Sequence, residues 1–110
     1  MAGVRLVVIY PRPADIDKFE RDYNEQHLPM AAQKIPGKTK FVTSKVLGGY
    51  YSVDPGQFWR IAEVYFPSSE ALQRAVGSEG AEAAIAHAKA ISTGGPPIFL
   101  VMEETTPVPF

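Results

Sequence analysis

The stretch Val4-Arg5-Leu6-Val7-Val8-Ile9-Tyr10, closed by Pro11-Arg12-Pro13, decides how the chain folds. Its β-branched residues and the proline-bounded turn behind it read as a strand. Both side-chain parities are apolar: Leu6, Val8 and Tyr10 on one, Val7 and Ile9 on the other. A strand that is hydrophobic on two faces must be covered on two faces. The same pattern returns near the end of the chain, where Ile98-Phe99-Leu100-Val101-Met102 follows the break Gly94-Gly95-Pro96-Pro97.

Working outward from the first strand, Asp15 or Asp17 can cap a helix, and Asp17 with Glu20 makes an aspartate form of the capping box. Ile16, Phe19, Tyr23, His27, Met30 and Ala31 fall on one broad stripe at helical spacing, opposite Lys18, Arg21, Asp22 and Glu25. Pro29 is expected to end or kink this helix just after Leu28, with a short second piece running to Lys34 before Ile35-Pro36-Gly37. Thr39 to Leu47 reads as a second strand, with Phe41 on one parity and Val42 and Val46 on the other. The turn-rich segment from Gly48 to Gly56 is long enough to form a pocket rim. Phe58 to Phe66 is the third strand. Ser68 or Ser69 caps a helix through Glu70, Leu72 and Val76. Gly77 and Gly80 bracket a break, and the alanine-rich Ala81 to Ile91 is a further helix.

The order is β-α-β-β-α-β, the ferredoxin-like arrangement of an α+β fold: a four-stranded antiparallel sheet with helices on one face. Nothing in the chain is left to cover the second face. A second copy of the sheet is the simplest cover, which predicts a homodimer. At roughly 25 cal/mol per Å² of apolar area, a wet face would forfeit several kcal/mol.

The composition sets outer bounds. At 110 residues, with 45% hydrophobic and 21% charged residues, the chain reads as one ordinary domain over 1–110. A formal net charge of −1 gives no footprint for nucleic acid or an anionic membrane. The local lysines Lys34, Lys38, Lys40 and Lys45 read as a solvated face. The absence of cysteine excludes disulfides, thiolate metal sites and a cysteine nucleophile. The run Leu6 to Tyr10 is too short for a membrane span, and a cytoplasmic location is expected.

Several matching stretches, in this order and spacing, give the chain a family resemblance. They are Leu6 to Pro13, then Phe19 with Tyr23, then His27-Leu28-Pro29-Met30 and Ile35-Pro36-Gly37. Ala62-Glu63-Val64-Tyr65-Phe66, Ser69-Glu70-Ala71-Leu72 and Gly94-Gly95 complete the set. With these the chain resembles the EthD family over nearly its whole length. The resemblance implies a dimeric α+β barrel in which two four-stranded sheets close face to face. Muconolactone isomerase-like proteins, cofactor-free antibiotic monooxygenases and polyketide cyclases share that architecture, so it does not fix a reaction.

His27 is the first candidate for chemistry. It lies one turn after Tyr23 on the apolar stripe, where an imidazole can move a proton near neutral pH and a phenol can polarise a carbonyl. The bland alternative is a core histidine bonded to backbone freed at Pro29. The resemblance places a histidine before Leu28-Pro29 and implies some role in a site. Glu63 is the next candidate, in a row with Trp59, Ile61 and Tyr65. It either orients His27 as a histidine–carboxylate dyad or forms a salt bridge, with Arg60 or Arg5, across the dimer barrel.

Tyr10, Phe41, Trp59 and Tyr65 line a pocket or simply fill the core. Tyr51, beside Tyr50 in the long connection, can close over a ligand or pack at a subunit seam. His87, next to Lys89 on the alanine-rich helix, reads as solvent-facing or a helix-end contact. No histidine spacing suggests a metal, and no nucleotide-binding or serine-hydrolase motif occurs. The expectation is a cofactor-free protein that takes a small hydrophobic, aromatic or ether-derived molecule between helices and sheet. It is either an isomerase-, cyclase- or monooxygenase-like enzyme, or a non-catalytic binding or accessory protein.

Overall fold

A computed structural model describes residues 3–49 and 55–110. Strand β1 spans Val4–Pro11 and is followed by helix α1, Ile16–Arg21. A π-helical stretch, Asp22–His27, leads directly into α2, Leu28–Lys34. Strand β2 is Lys40–Lys45, and a 3₁₀ turn at Pro55–Gln57 precedes β3, Phe58–Phe66. Helices α3, Ser69–Val76, and α4, Glu79–Ile91, lead to β4, Ile98–Glu103. The sheet has the order β2-β3-β1-β4 with antiparallel pairing throughout, so the ferredoxin-like arrangement holds.

The register decides which face meets the helices. Leu6 pairs with Val64, and Val8 with Ala62 and Phe99. Val4, Leu6, Val8 and Tyr10 join Ala62, Val64 and Phe66 in one buried cluster with Phe19, Tyr23, Ala31 and Leu72. Arg5, Val7 and Ile9 therefore share the outer face with Ile61, Glu63 and Tyr65, and with Ile98, Leu100 and Met102. The last three are 43%, 44% and 40% exposed within one chain. The second apolar face read from the sequence is real, and one copy of the chain leaves it open to water.

The structure chooses between the expected caps of α1 and α3 and adds one, Ser78, that the sequence reading did not name. Asp15, not Asp17, caps α1, its carboxylate accepting from the Lys18 backbone N–H at 3.1 Å. Ser68 caps α3 and Ser78 caps α4 in the same way. Helix α4 begins close to the end of α2: a Cβ at Gly80 would stand 2.0 Å from the Lys34 carbonyl oxygen. Only glycine permits that approach.

Pro29 neither ends nor breaks the first helix. The Leu28 N–H reaches back to the Tyr23 carbonyl, an i→i−5 bond, and the helix continues to Lys34. The π turn sets the proline in the first turn of α2, where its missing N–H costs least. The same wide turn has a second effect. Phe19, Tyr23, His27 and Ala31 recur every four residues, and in a plain α-helix each such step overshoots a full turn by about 40°. Widening the turn absorbs part of that overshoot and keeps all four on the buried face.

Candidate functional site

Tyr10 rises from β1 into the helical layer and meets three rings edge-on. Its centroid lies 5.4 Å from Phe19, 5.3 Å from Tyr23 and 6.4 Å from His27. Phe19, Tyr23 and His27 are themselves stacked in sequence along the helix, at 5.3 and 5.8 Å. Edge-to-face contact places positive ring edges against negative ring faces, which favours this packing over a disordered apolar cluster.

His27, 6% exposed, is hydrogen-bonded on both sides. Its Nε2 lies 3.3 Å from the Tyr10 hydroxyl and its Nδ1 lies 2.9 Å from Nδ1 of His87. The two imidazole centroids are 5.1 Å apart with planes 16° from parallel. A nitrogen separation that short at that centroid distance puts both Nδ1 atoms nearly on the line between the rings, so their lone-pair directions meet head on. One proton occupies the gap. Burial pushes the Tyr10 phenol far above its ordinary range, and the nearby Tyr23 adds to the effect, so Tyr10 stays protonated. Its buried O–H is satisfied by donating to His27 Nε2. The His27 proton is then on Nδ1 and donates to His87, whose own proton is on Nε2. Burial, then the electrostatic effect of the neighbouring His87, pushes the His27 pKa down to about 4. His27 is neutral at pH 7.

His87 was not legible as a partner. The expectation of a solvent-facing or helix-end residue is corrected: it is half-buried, and α4 carries it against the π-helical stretch.

Tyr23 is fully buried, and its hydroxyl lies 2.7 Å from Thr43 Oγ1 on β2. Burial raises its pKa, an effect countered by the Thr43 hydrogen bond and by Arg60. Arg60 stands over the Tyr23 ring at 5.4 Å and forms a two-pronged pair with Glu20, at 2.7 and 3.1 Å. That pair holds the Glu20 carboxyl below its usual range.

Thr43 also faces an open apolar cleft of ≈ 240 Å³ between α2 and β2, lined with Leu28, Ala32 and Phe41. Phe41 is thus the aromatic candidate that borders a cavity on the helical side of the sheet. A larger groove of ≈ 500 Å³ runs between the end of α4 and the start of β4, along Ser92, Thr93, Pro97 and Phe99. It touches none of the candidate residues.

The other candidates lie elsewhere. Glu63 is on the outer face, 3.0 Å from the Arg5 guanidinium and within 3.3 Å of the Tyr65 hydroxyl. The histidine–carboxylate dyad is not formed, and of the two expected arrangements the structure contains the ion pair with Arg5, made within one chain. The reason is parity, since His27 packs on the side occupied by Ala62 and Val64. Tyr65 lies on that outer face between the cations of Arg5 and Lys40. Trp59 departs from its expected row because β3 carries a bulge: Tyr10 pairs with Arg60 and Pro11 with Phe58, leaving Trp59 as the extra residue. A bulge turns two successive side chains toward one side. Trp59 therefore joins Arg60 in bonding Glu20, its Nε1 donating at 3.1 Å. Tyr51 lies outside the described residues.

No family model matches the chain. A chain from Bacillus halodurans C-125, an ethyl tert-butyl ether d (EthD) family protein, superposes with a TM-score of 0.83 at 24% identity. The match covers 94% of this chain and 99% of that one. The fold is the EthD fold. It is shared with a dimeric ferredoxin-like protein of unknown function from Jannaschia sp. CCS1, at TM-score 0.65 and 14% identity over 93% of this chain and 99% of the other. SnoaB of Streptomyces nogalater, a cofactor-independent oxygenase, has the EthD-like arrangement at TM-score 0.62 and 16% identity, with 98% of each chain covered. In sequence, the chain is 29% identical over 103 residues to an uncharacterised 11.0 kDa protein of the thcB-thcC intergenic region of Rhodococcus erythropolis, spanning 92% of this chain and 95% of the other. Among the described residues no helix is long and apolar enough to cross a membrane, and no three His, Cys, Asp or Glu side chains group to hold a metal ion.

Proposed function

We propose that this is an EthD-type protein, working as a homodimer, that takes a small apolar, aromatic or ether-derived molecule into the cleft between α2 and β2. The observation that carries the reading is the hydroxyl of Thr43 at the wall of an apolar cleft, bonded at 2.7 Å to the buried Tyr23. Small-molecule sites combine apolar walls with a few fixed polar groups, and this cleft has that composition. Its ≈ 240 Å³ lies just under the about 300–1,000 Å³ usual for drug-sized ligands, so the ligand is small. The name of the Bacillus halodurans relative supports an ether-derived compound as one such ligand. The reading calls on no metal or organic cofactor.

Dimerisation rests on the outer face of the sheet. Ile98, Leu100 and Met102 are wet in one chain, and the Arg5–Glu63 pair leaves the face without a net charge at its centre. The dimeric neighbour from Jannaschia supports the same assembly.

A catalytic reading is favoured by one further observation. Tyr10, His27 and His87 form a continuous hydrogen-bonded line from the core to the half-buried face of α4. A neutral His27 held by Tyr10 on one nitrogen can exchange a proton through its other nitrogen with His87, on the half-buried side of α4. Tyr23, bonded to the Thr43 hydroxyl at the cleft wall, stacks on His27 at 5.8 Å, so the imidazole lies one buried ring behind the cleft.

Calorimetric titration with small aromatic ethers and phenols tests both readings. Binding that Thr43→Val weakens supports the cleft, and no binding by any of these probes contradicts it. Conversion of a bound probe that His27→Gln abolishes at unchanged affinity supports catalysis. Binding without conversion leaves an accessory or carrier protein.

A further inference from the structure

We propose that the segment Thr105–Phe110 is an arm that lies on the outer sheet face of a second copy of this chain, anchored by Val108 and Phe110. The inference rests on the homodimer reading above and adds a segment that the sheets alone do not require.

The alternation of β4 runs on past the end of the strand. Ile98, Leu100 and Met102 occupy the outer face, and their parity continues through Thr106, Val108 and Phe110. The strand and its C-terminal extension thus form one largely apolar row, interrupted at Glu104 and Thr106. The ladder of the chain's own sheet stops there. Val4 pairs with Glu103, the Glu104 N–H bonds the Gly3 carbonyl at 2.8 Å, and β4 is an edge strand with nothing beyond it among the described residues. From Thr105 onward the row overhangs its own sheet, and Val108 and Phe110 stand exposed.

The prolines suit an arm. Pro107 and Pro109 fall on the opposite parity, hold the backbone extended and remove two N–H groups that would otherwise need partners. Fully extended, Glu104 to Phe110 reaches about 23 Å. A four-stranded sheet measures about 14 Å between its outer strands, and two sheets stacked face to face lie about 10 Å apart. The arm is long enough to cross from one sheet to the other. Because it leaves the sheet on the parity of the open apolar face, a second copy seated on that face is the surface it meets first.

Sedimentation equilibrium of the full chain, of a Val108→Ser/Phe110→Ser double variant and of Leu100→Glu separates the arm from the sheet-to-sheet contact. The arm predicts a dimer for the full chain, dissociation about tenfold or more easier in the double variant, and no dimer with Leu100→Glu. Circular dichroism of the double variant should be unchanged, since both side chains are in solvent within one chain. A dimer that Leu100→Glu breaks and the double variant leaves intact overturns the arm and keeps the face-to-face dimer. A monomeric full chain, or a dimer indifferent to Leu100→Glu, overturns the homodimer reading and the arm with it.

Discussion

Nδ1 of His27 and Nδ1 of His87 face each other at 2.9 Å, from two helices 60 positions apart in the chain. Two lone pairs so placed repel, and two protons so placed repel, so the arrangement persists only with one shared proton. Tyr10 fixes which ring supplies it, by donating to the far nitrogen of His27. The buried end of this line is therefore set by a phenol that does not ionise.

Stability should fall on acidification in a window this histidine defines. Unfolded, His27 titrates near 6.5; folded, burial and His87 lower it to about 4. The unfolded chain thus binds more protons between those values, so the contribution is complete above about pH 6.5 and is lost as pH falls toward 4. The loss amounts to roughly 3 kcal/mol once the pH has fallen to 4 and below. Urea unfolding at intervals from pH 7.5 to 4 should show it, and His27→Gln should flatten that part of the profile.

His87→Ala removes the acceptor of the His27 Nδ1–H and leaves a buried donor unpaired, at a cost of about 1–3 kcal/mol. Nitrogen-15 spectra of the unaltered protein at pH 7 should report His27 as the Nδ1–H tautomer and His87 as Nε2–H. The opposite pair of tautomers would show that Tyr10 accepts instead of donating.

Thr43→Val keeps the shape of the cleft wall and strands the Tyr23 hydroxyl. A loss of about 1–3 kcal/mol is expected in thermal unfolding. Tyr23→Phe in the same background should recover most of it, because the unsatisfied group is then gone.

Gly80→Ala should destabilise by more than the gain that alanine brings inside a helix, since the added methyl meets the Lys34 carbonyl at 2.0 Å and backbone must move. Calorimetric melting of this variant reads the effect directly.

The succession of strands and helices along the chain, both apolar faces and the third strand, Phe58–Phe66, were legible because alternation and turn residues are local signals. So was the stripe Phe19, Tyr23, His27. The passage of the helix through Pro29 was not: a proline in the middle of a periodic stretch carries the same mark whether the chain stops or widens into a π turn. The partnership of His27 with His87 depends on how α4 lies against the first helix, which no short-range spacing encodes. Glu63 and Trp59 show the limits of parity. The row containing Glu63 was visible, but the face chosen by the helices was not, and a single bulge carried Trp59 out of its row toward Glu20.

Amide chemical-shift mapping with a small aromatic ether, on the unaltered chain and on Ala32→Trp, tests the binding cleft most directly. Ligand binding there predicts saturable shifts confined to the neighbourhood of Leu28, Ala32, Phe41 and Thr43, abolished when the tryptophan fills the space. Shifts centred instead on Ser92 to Phe99, or unchanged in Ala32→Trp, would contradict it.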